Sequence, residues 1–219
     1  MKQYKNLMIV MFFLCILALS KVNAVINDYT LLGKTIYIDA GHGGKDCGAI
    51  SSKIIEKDMN LILTKKLAKE LISKGAYVLL TRDDDYDLSK TTINRKRSDL
   101  YNRAKLINNS NCDLYISIHL NSSTNTNWSG LQIFYTNKNK ENKILAETIT
   151  NTLKKNIYNV KDIKEENNYY MYSRIKKKGI LIEAGYISNS NDNYHLRQEK
   201  YQDKLIKNIV KGVENYFNN

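Results

Sequence analysis

The sequence predicts an α/β fold: a three-layer sandwich whose central sheet of five to six strands is mostly parallel, with one antiparallel member and helices on both faces. Three observations predict it. Short apolar, β-branched runs fall at 34–39, 76–81, 113–118, 131–135 and 179–183. Helical apolar periodicity fills 56–73, about 92–108, 142–157 and 200–217. The two patterns alternate, as they do in βαβ units around a parallel sheet.

Each element has a local cause. The first strand (Thr35, Ile36, Tyr37, Ile38) stops at Asp39 and runs into Gly41, His42, Gly43 and Gly44. Glycines there allow a sharp turn and a close approach to a ligand. The first helix carries a stripe of Met59, Leu63, Leu67 and Leu71, and Gly75 fits a left-handed position just past its end. The run 131–135 follows 113–118 through about twelve residues with no helical pattern. A parallel crossover normally needs a helix, so 131–135 is expected to be the antiparallel strand. The last helix gathers Leu205, Ile206, Ile209, Val210, Val213, Tyr216 and Phe217 on one face. The chain has no proline. Asparagine-rich stretches at 107–111, 121–127 and 188–193 make the turns instead.

The chain has 219 residues, 42% of them hydrophobic, which suits a single domain over 30–219 with a real core. The formal net charge is +12. Such a balance fits an anionic polymer, a membrane surface or nucleic acid. The lysines are scattered without a basic stripe, which argues against nucleic acid. The one dense run, Lys176 to Lys178, reads as a solvated loop. Residues 1–24 read as a signal peptide or an N-terminal membrane anchor: Lys2 and Lys5 precede the apolar run Leu7 to Leu19, and Val22-Asn23-Ala24 follows. That run is short against the roughly 20 residues of a spanning helix. The chain is therefore expected to be exported, with membrane contact only through this leader. Cys47 and Cys112 are expected to be free thiols. Parallel strands place them at opposite ends of the sheet, about 20 Å apart and out of disulfide reach.

Polar residues interrupt these patterns at one rim. His42, His119 and Glu183 each stand at the C-terminal end of a predicted strand, and parallel strands bring those ends together. Open α/β sheets bind ligands at that edge. Glu56 lies on the buried stripe of the first helix, at its first turn, and so at the same edge. Two histidines and one glutamate form a known set for catalytic zinc, with a fourth position left for water. His42, Glu56 and His119 are the expected ligands of one Zn2+ per chain, and Glu183 the expected general base. His195, in the polar stretch 190–200, reads as surface, and Asp83, Asp84 and Asp85 as a solvated turn. Two other readings use the same residues. One is a non-catalytic wall-binding protein whose structural zinc takes Cys47 as fourth ligand. The other is a zinc carboxypeptidase acting on wall peptides.

The motifs GHGG (41–44), Glu56-Lys57, Thr81-Arg82, SIHLN (117–121) and IEAGYISN (182–189), in this order, resemble the zinc-dependent N-acetylmuramoyl-L-alanine amidases of the Amidase_3 class. The resemblance runs from about residue 34 to 217. RKRSDLYNR (95–103), GLQIFYTNKNKENKILAETI (130–149), YYM (169–171) and YQDKL (201–205) are similar to the sporulation-type, cortex-modifying branch. The resemblance implies the same ligands, His42, Glu56 and His119, and the same catalytic Glu183. It implies peptidoglycan as substrate, cleaved between N-acetylmuramic acid and the L-alanine of the stem peptide. In the sporulation branch this step precedes muramic lactam formation in spore cortex. The implied location is the cell wall or forespore envelope. The sequence departs from the family where Lys178-Gly179 stands in place of a usual proline. It also shows none of the wall-binding modules or site-blocking helices of some members, which implies either weak intrinsic wall binding or dependence on a companion, such as an activating lipoprotein.

Overall fold

Residues 29–218, with Met8, Met11, Phe12, Leu14 and Ile16, are described by the computed structural model. The rest of the predicted leader lies outside the described residues. Among the described residues no helix is long and apolar enough to cross a membrane.

The strands are β1 (Thr35–Ala40), β2 (Tyr77–Leu80), β3 (Leu114–Asn121), β4 (Gln132–Tyr135), β5 (Lys164–Glu165) and β6 (Gly179–Tyr186). The helices are α1 (Glu56–Ser73), α2 (Arg95–Asn109), α3 (Lys140–Lys154), α4 (Ser190–Leu196) and α5 (Glu199–Asn218). The sheet order is β2-β1-β3-β6-β4-β5. β1 is parallel to β2 and β3, and β3 is parallel to β6. β4 is antiparallel to β6, as the missing crossover helix predicts, and the two-residue β5 runs alongside β4. The chain leaves β1 to one side and returns on the other, so the C-terminal ends of β1 and β3 flank a switch point.

Register sorts the side chains onto two faces, because strand residues alternate. Ile36, Ile38, Ile116, Ile118, Ile180 and Ile182 pack on one face against Leu63, Leu67 and Leu71 of α1, Leu145 and Ile149 of α3, and Leu205 and Ile209 of α5. On the other face Tyr37 pairs with Tyr115, Asp39 with Ser117, and His119 with Glu183. That face is covered by Ala104 and Ile107 of α2 and by Met171 and Tyr172, at a short 3-10 turn over Tyr172–Arg174. Its polarity rises row by row toward the C-terminal edge.

Some elements differ from expectation. His119 and Glu183 lie inside β3 and β6 rather than after them. Pairing continues past them to Asn121 and Tyr186 through a register shift, where Gly185 takes a φ of 150°. β5 is too short to leave a periodic signal. The stretch around His195 is not a loop but α4: Asn189 caps it by accepting from the backbone N–H groups of Asn191 and Asp192 at 3.1 Å, and Leu196 is buried. His195 is half-buried, its ring 5.6 Å from that of Tyr194 and 5.2 Å from that of Tyr201. Gly75 ends α1 at a φ of 88°, and Cys47 and Cys112 are free thiols, both as expected.

Candidate metal centre and active site

The loop after β1 is built around backbone conformations that few side chains adopt. His42 has a φ of 60° and Gly48 a φ of 67°. A Cβ on Gly48 would lie 2.5 Å from Glu56 Oε2, and one on Gly41 would lie 2.3 Å from His119 Nε2. Glycine at 41 and 48 therefore lets two imidazoles and a carboxylate close over the backbone. α1 has no side-chain cap; its first N–H groups are taken by this loop, with Glu56 N donating to Ala49 O at 3.0 Å and Lys57 N to Cys47 O at 3.2 Å. The helix start and the loop are thereby one unit.

Glu56 is buried at the centre of the cluster. Its Oε1 lies 3.0 Å from His42 Nε2 and 3.1 Å from His119 Nδ1, and the two imidazole centroids are 4.9 Å apart. Backbone N–H groups of Ala49 and Leu120 donate to its two oxygens at 2.8 and 3.2 Å. Burial works against a charge on Glu56, but the hydrogen bonds with His119 and His42 outweigh it and hold the carboxyl well below the usual range. Burial likewise disfavours charge on His42, yet its bonds to Asp46 and Glu56 push it up to about 9. Asp46 Oδ2 sits 2.9 Å from His42 Nδ1, so a proton held there leaves Nε2 free as a donor atom.

The donor chemistry fits a zinc ion. The ligand atoms of His42, Glu56 and His119 all lie within 4.8 Å of one another. A tetrahedron around an ion with bonds of 2.0–2.2 Å has edges of about 3.4 Å, close to the two contacts above. Cys47 is not in this group, so among the described residues nothing closes the fourth position with a thiolate.

Two buried arginines hold the loop from below. Arg103 donates to Ala40 O and His42 O, both at 2.6 Å, to Asp39 Oδ1 at 2.9 Å and to Asp99 Oδ2 at 2.8 Å. Arg82 donates to Ala40 O at 2.9 Å, to Gly41 O at 3.0 Å and to Lys57 O at 2.7 Å. Asp39 is fully buried and also accepts from Thr81 Oγ1 at 2.8 Å and Ser117 Oγ at 2.5 Å. Burial would raise its pKa, but Arg103 above all holds it below the usual range. Asp85 is more than a solvated turn residue: it pairs with Lys57 at 2.5 Å and accepts from Gly44 N at 2.8 Å, fastening the same loop.

Glu183 differs from every other carboxylate here. Its Oε2 is buried without a hydrogen-bond partner. Burial pushes it up to about 7, with His119 pulling down and Glu56 pushing further up. It lines a cavity of about 260 Å³ together with His42, His119, Tyr169 and Tyr172. A half-buried carboxylate poised near neutrality, lining a cavity beside a potential metal site, has the properties of a general base.

Of the residues read from the sequence, His42, Glu56 and His119 meet in one cluster, and Glu183 shares a cavity with two of them. Sequence reasoning missed Asp46, Asp39, Arg82 and Arg103 as supports. Asp46 had a signal, four residues past His42 in a glycine loop. Asp99 and Arg103, four apart on the face of α2 that also carries Ala104 and Ile107, were another.

A mostly parallel α/β sandwich that gathers imidazoles and carboxylates at its switch point belongs to the class of α/β enzymes with their chemistry at the strand C-termini. The model of the Amidase_3 family, N-acetylmuramoyl-L-alanine amidase, matches residues 36–215, and the chain belongs to that family. It is 40% identical over 227 residues to the germination-specific N-acetylmuramoyl-L-alanine amidase of Bacillus subtilis (strain 168), covering 99% of this chain and 96% of that one. The CwlD amidase of Clostridioides difficile, solved in complex with the GerS lipoprotein, superposes with a TM-score of 0.80 at 36% identity, over 85% of this chain and 99% of that one. The amidase AmiC2 of Nostoc punctiforme gives 0.74 at 30% identity, over 85% and 98%.

Proposed function

We propose that this chain hydrolyses the amide between N-acetylmuramic acid and the L-alanine of the stem peptide in spore-cortex peptidoglycan. His42, Glu56 and His119 hold one zinc ion and Glu183 handles the proton. The observation that carries this reading is Glu183, which lines the same cavity as His42 and His119 and whose Oε2 has no hydrogen-bond partner. When bound, zinc supplies Lewis acidity toward the amide carbonyl and toward water. Glu183 accepts the proton of the attacking water and returns it to the nitrogen of the departing L-alanine. Asp46 holds the His42 ring in one tautomer and orientation. Arg82 and Arg103 keep the carbonyls of the loop turned away from the site. Tyr169 and Tyr172 form a wall that shields the reacting amide from bulk water.

The catalytic domain spans 30–219, and 1–24 serve as signal peptide or membrane anchor, so the enzyme works outside the cytoplasmic membrane. Support for the cortex role is the germination-specific name of the Bacillus relative, and support for a companion lipoprotein is the complex of the Clostridioides amidase. The test compares two variants on purified muropeptides. Glu183→Gln is expected to keep the fold and one zinc per chain while turnover falls about 10²–10⁴-fold. His119→Ala is expected to lose zinc as well, by elemental analysis. Mass spectrometry should show an intact stem peptide beginning with L-alanine. Normal turnover by Glu183→Gln would remove that residue from its role.

A further inference from the structure

The parallel strands β2, β1, β3 and β6 all begin at one edge of the sheet, opposite the cluster of His42, Glu56 and His119. The turns that enter them carry Lys34, Lys74, Asp113, Lys176, Lys177 and Lys178, five cations against one acid. Asp113 is engaged, accepting from Thr35 N at 2.8 Å. Two acids that neighbouring helices bring near are engaged as well: Glu214 accepts from Thr30 Oγ1, and Glu141 from the Tyr216 hydroxyl at 2.8 Å. None of the five lysines makes an ion pair among the described residues; Lys34 and Lys178 lie over the rings of Phe217 and Tyr216. The turns that leave the strands and hold the site differ, with Asp46, Asp83, Asp84, Asp85 and Asp87 standing among their bases.

Exposed apolar side chains share the basic edge. Leu32 is 73% exposed, Tyr77 66%, Ile72 56% and Tyr29 47%. They meet at one junction. Leu31 N donates to Lys74 O at 2.9 Å and Tyr77 N to Lys34 O at 2.8 Å, while a Cβ on Gly75 would lie 3.2 Å from Tyr29 Cβ and 3.3 Å from Leu32 Cα. Single exposed apolar residues are ordinary. Four around one turn, beside lysines without counter-charges, have the composition of a surface that lies in a lipid interface. Tyr29 stands five residues after Ala24, a span of at most about 18 Å, so the predicted leader joins the domain at this edge.

We propose that this edge docks on anionic lipid at the membrane that the leader enters, with the lysines against headgroup phosphates and Leu32, Tyr77, Ile72 and Tyr29 in the interface. The inference rests on the leader reading above, in its membrane-anchor form, and not on the amide chemistry. What it adds is the orientation of the domain. The eight residues of β6 span about 25 Å, so the rim with His42, His119 and Glu183 faces away from the bilayer, toward polymer held at a distance from it.

The chain contains one tryptophan, Trp128, whose ring lies 6.4 Å from that of Tyr186 at the far end of β6. The test puts the indole at either pole. Full-length chain, native or carrying Leu32→Trp with Trp128→Phe, is reconstituted into phosphatidylcholine vesicles with and without phosphatidylglycerol, each containing a lipid spin-labelled at its headgroup. Quenching is expected for Leu32→Trp in the anionic vesicles, is expected to fade without phosphatidylglycerol, and is expected to be absent for native Trp128. Lys74→Gln, Lys176→Gln and Lys177→Gln together should abolish most of that quenching, while the chain still sediments with the vesicles through its leader and keeps its thermal midpoint. Quenching absent at position 32, equal at the two positions, or unchanged by the three substitutions would overturn the docking. So would a dimer that shields position 32 without lipid, which would assign the edge to a second copy of the chain. Turnover of soluble muropeptides needs no lipid and reads the amidase reaction separately. A chain that sediments with neither vesicle would end the anchor reading and the docking together and leave that reaction standing.

Discussion

The two faces of the sheet carry side chains of opposite kinds from the same strands. On one, isoleucines of β1, β3 and β6 interlock with leucines of α1, α3 and α5. On the other, Tyr37 and Tyr115 lead up to Asp39 and Ser117, and these to His119 and Glu183. The aliphatic face stabilises through area removed from water, which is non-directional. The polar face is directional: Asp39 accepts from three side chains, and Arg103 makes four charge-assisted contacts. One strand set can do both because alternation assigns each property to its own side. The lesson is a division of labour, in which stability and site geometry can be perturbed separately.

The sharpest way to break that division is Arg103→Ala. It leaves Asp39 buried without its main counter-charge and frees the carbonyls of Ala40 and His42. Removing one partner of a buried pair costs about 3–5 kcal/mol. Zinc content should fall with it, because the loop that carries His42 loses its clamp. Leu67→Ala on the opposite face removes a fully buried side chain and should cost about 2–5 kcal/mol through the cavity left behind. There zinc content per folded molecule should stay the same. Denaturant unfolding with elemental analysis checks both, and equal zinc loss in the two variants would dissolve the distinction between the faces.

Asp46→Asn sharpens the comparison at smaller scale. It keeps the size of the side chain but removes the carboxylate that orients His42. Outer partners of metal-bound histidines are worth about 10–100-fold in metal affinity. Competition with a chelator should show a loss in that range, with little change in the thermal midpoint of the metal-free protein. An unchanged zinc affinity would mean that the backbone of the loop alone sets the ring.

Much of this division was legible in the sequence. The spacing of Met59, Leu63, Leu67 and Leu71 located α1 to the residue, because an amphipathic stripe on a long helix is a repeated signal. The helix-free connection between the apolar runs 113–118 and 131–135 gave away the antiparallel β4, because a parallel return normally needs a crossover helix. His42, His119 and Glu183 stood out as polar residues at the ends of apolar runs. The supports did not stand out. Arg82 and Arg103 act through backbone carbonyls, and a carbonyl leaves no trace in residue type. α4 and β5 are too short for periodicity, and only the Asn189 cap marks α4.

The smallest expected effect is a difference in acid stability that belongs to Asp39 alone. Its folded pKa is held below the ordinary value, against burial, chiefly by Arg103. A depressed carboxyl contributes stability that is fully present above its unfolded value, near 3.9, and is lost as pH falls through its folded value. Between the two the unfolded chain binds more protons, so stability rises with pH, by up to about 1.4 kcal/mol per unit for one group. Asp46, Glu56, Asp85 and Asp87 are depressed in the same direction, so the total slope does not identify Asp39. The difference does. In metal-free protein, urea unfolding of Asp39→Asn below pH 4 should give a shallower pH slope than the unsubstituted chain. Above pH 5 the two slopes should be parallel, offset by the lost Arg103 pairing. Identical slopes below pH 4 would place the acid sensitivity in the loop carboxylates and leave the buried pair as a structural clamp that does not titrate on folding.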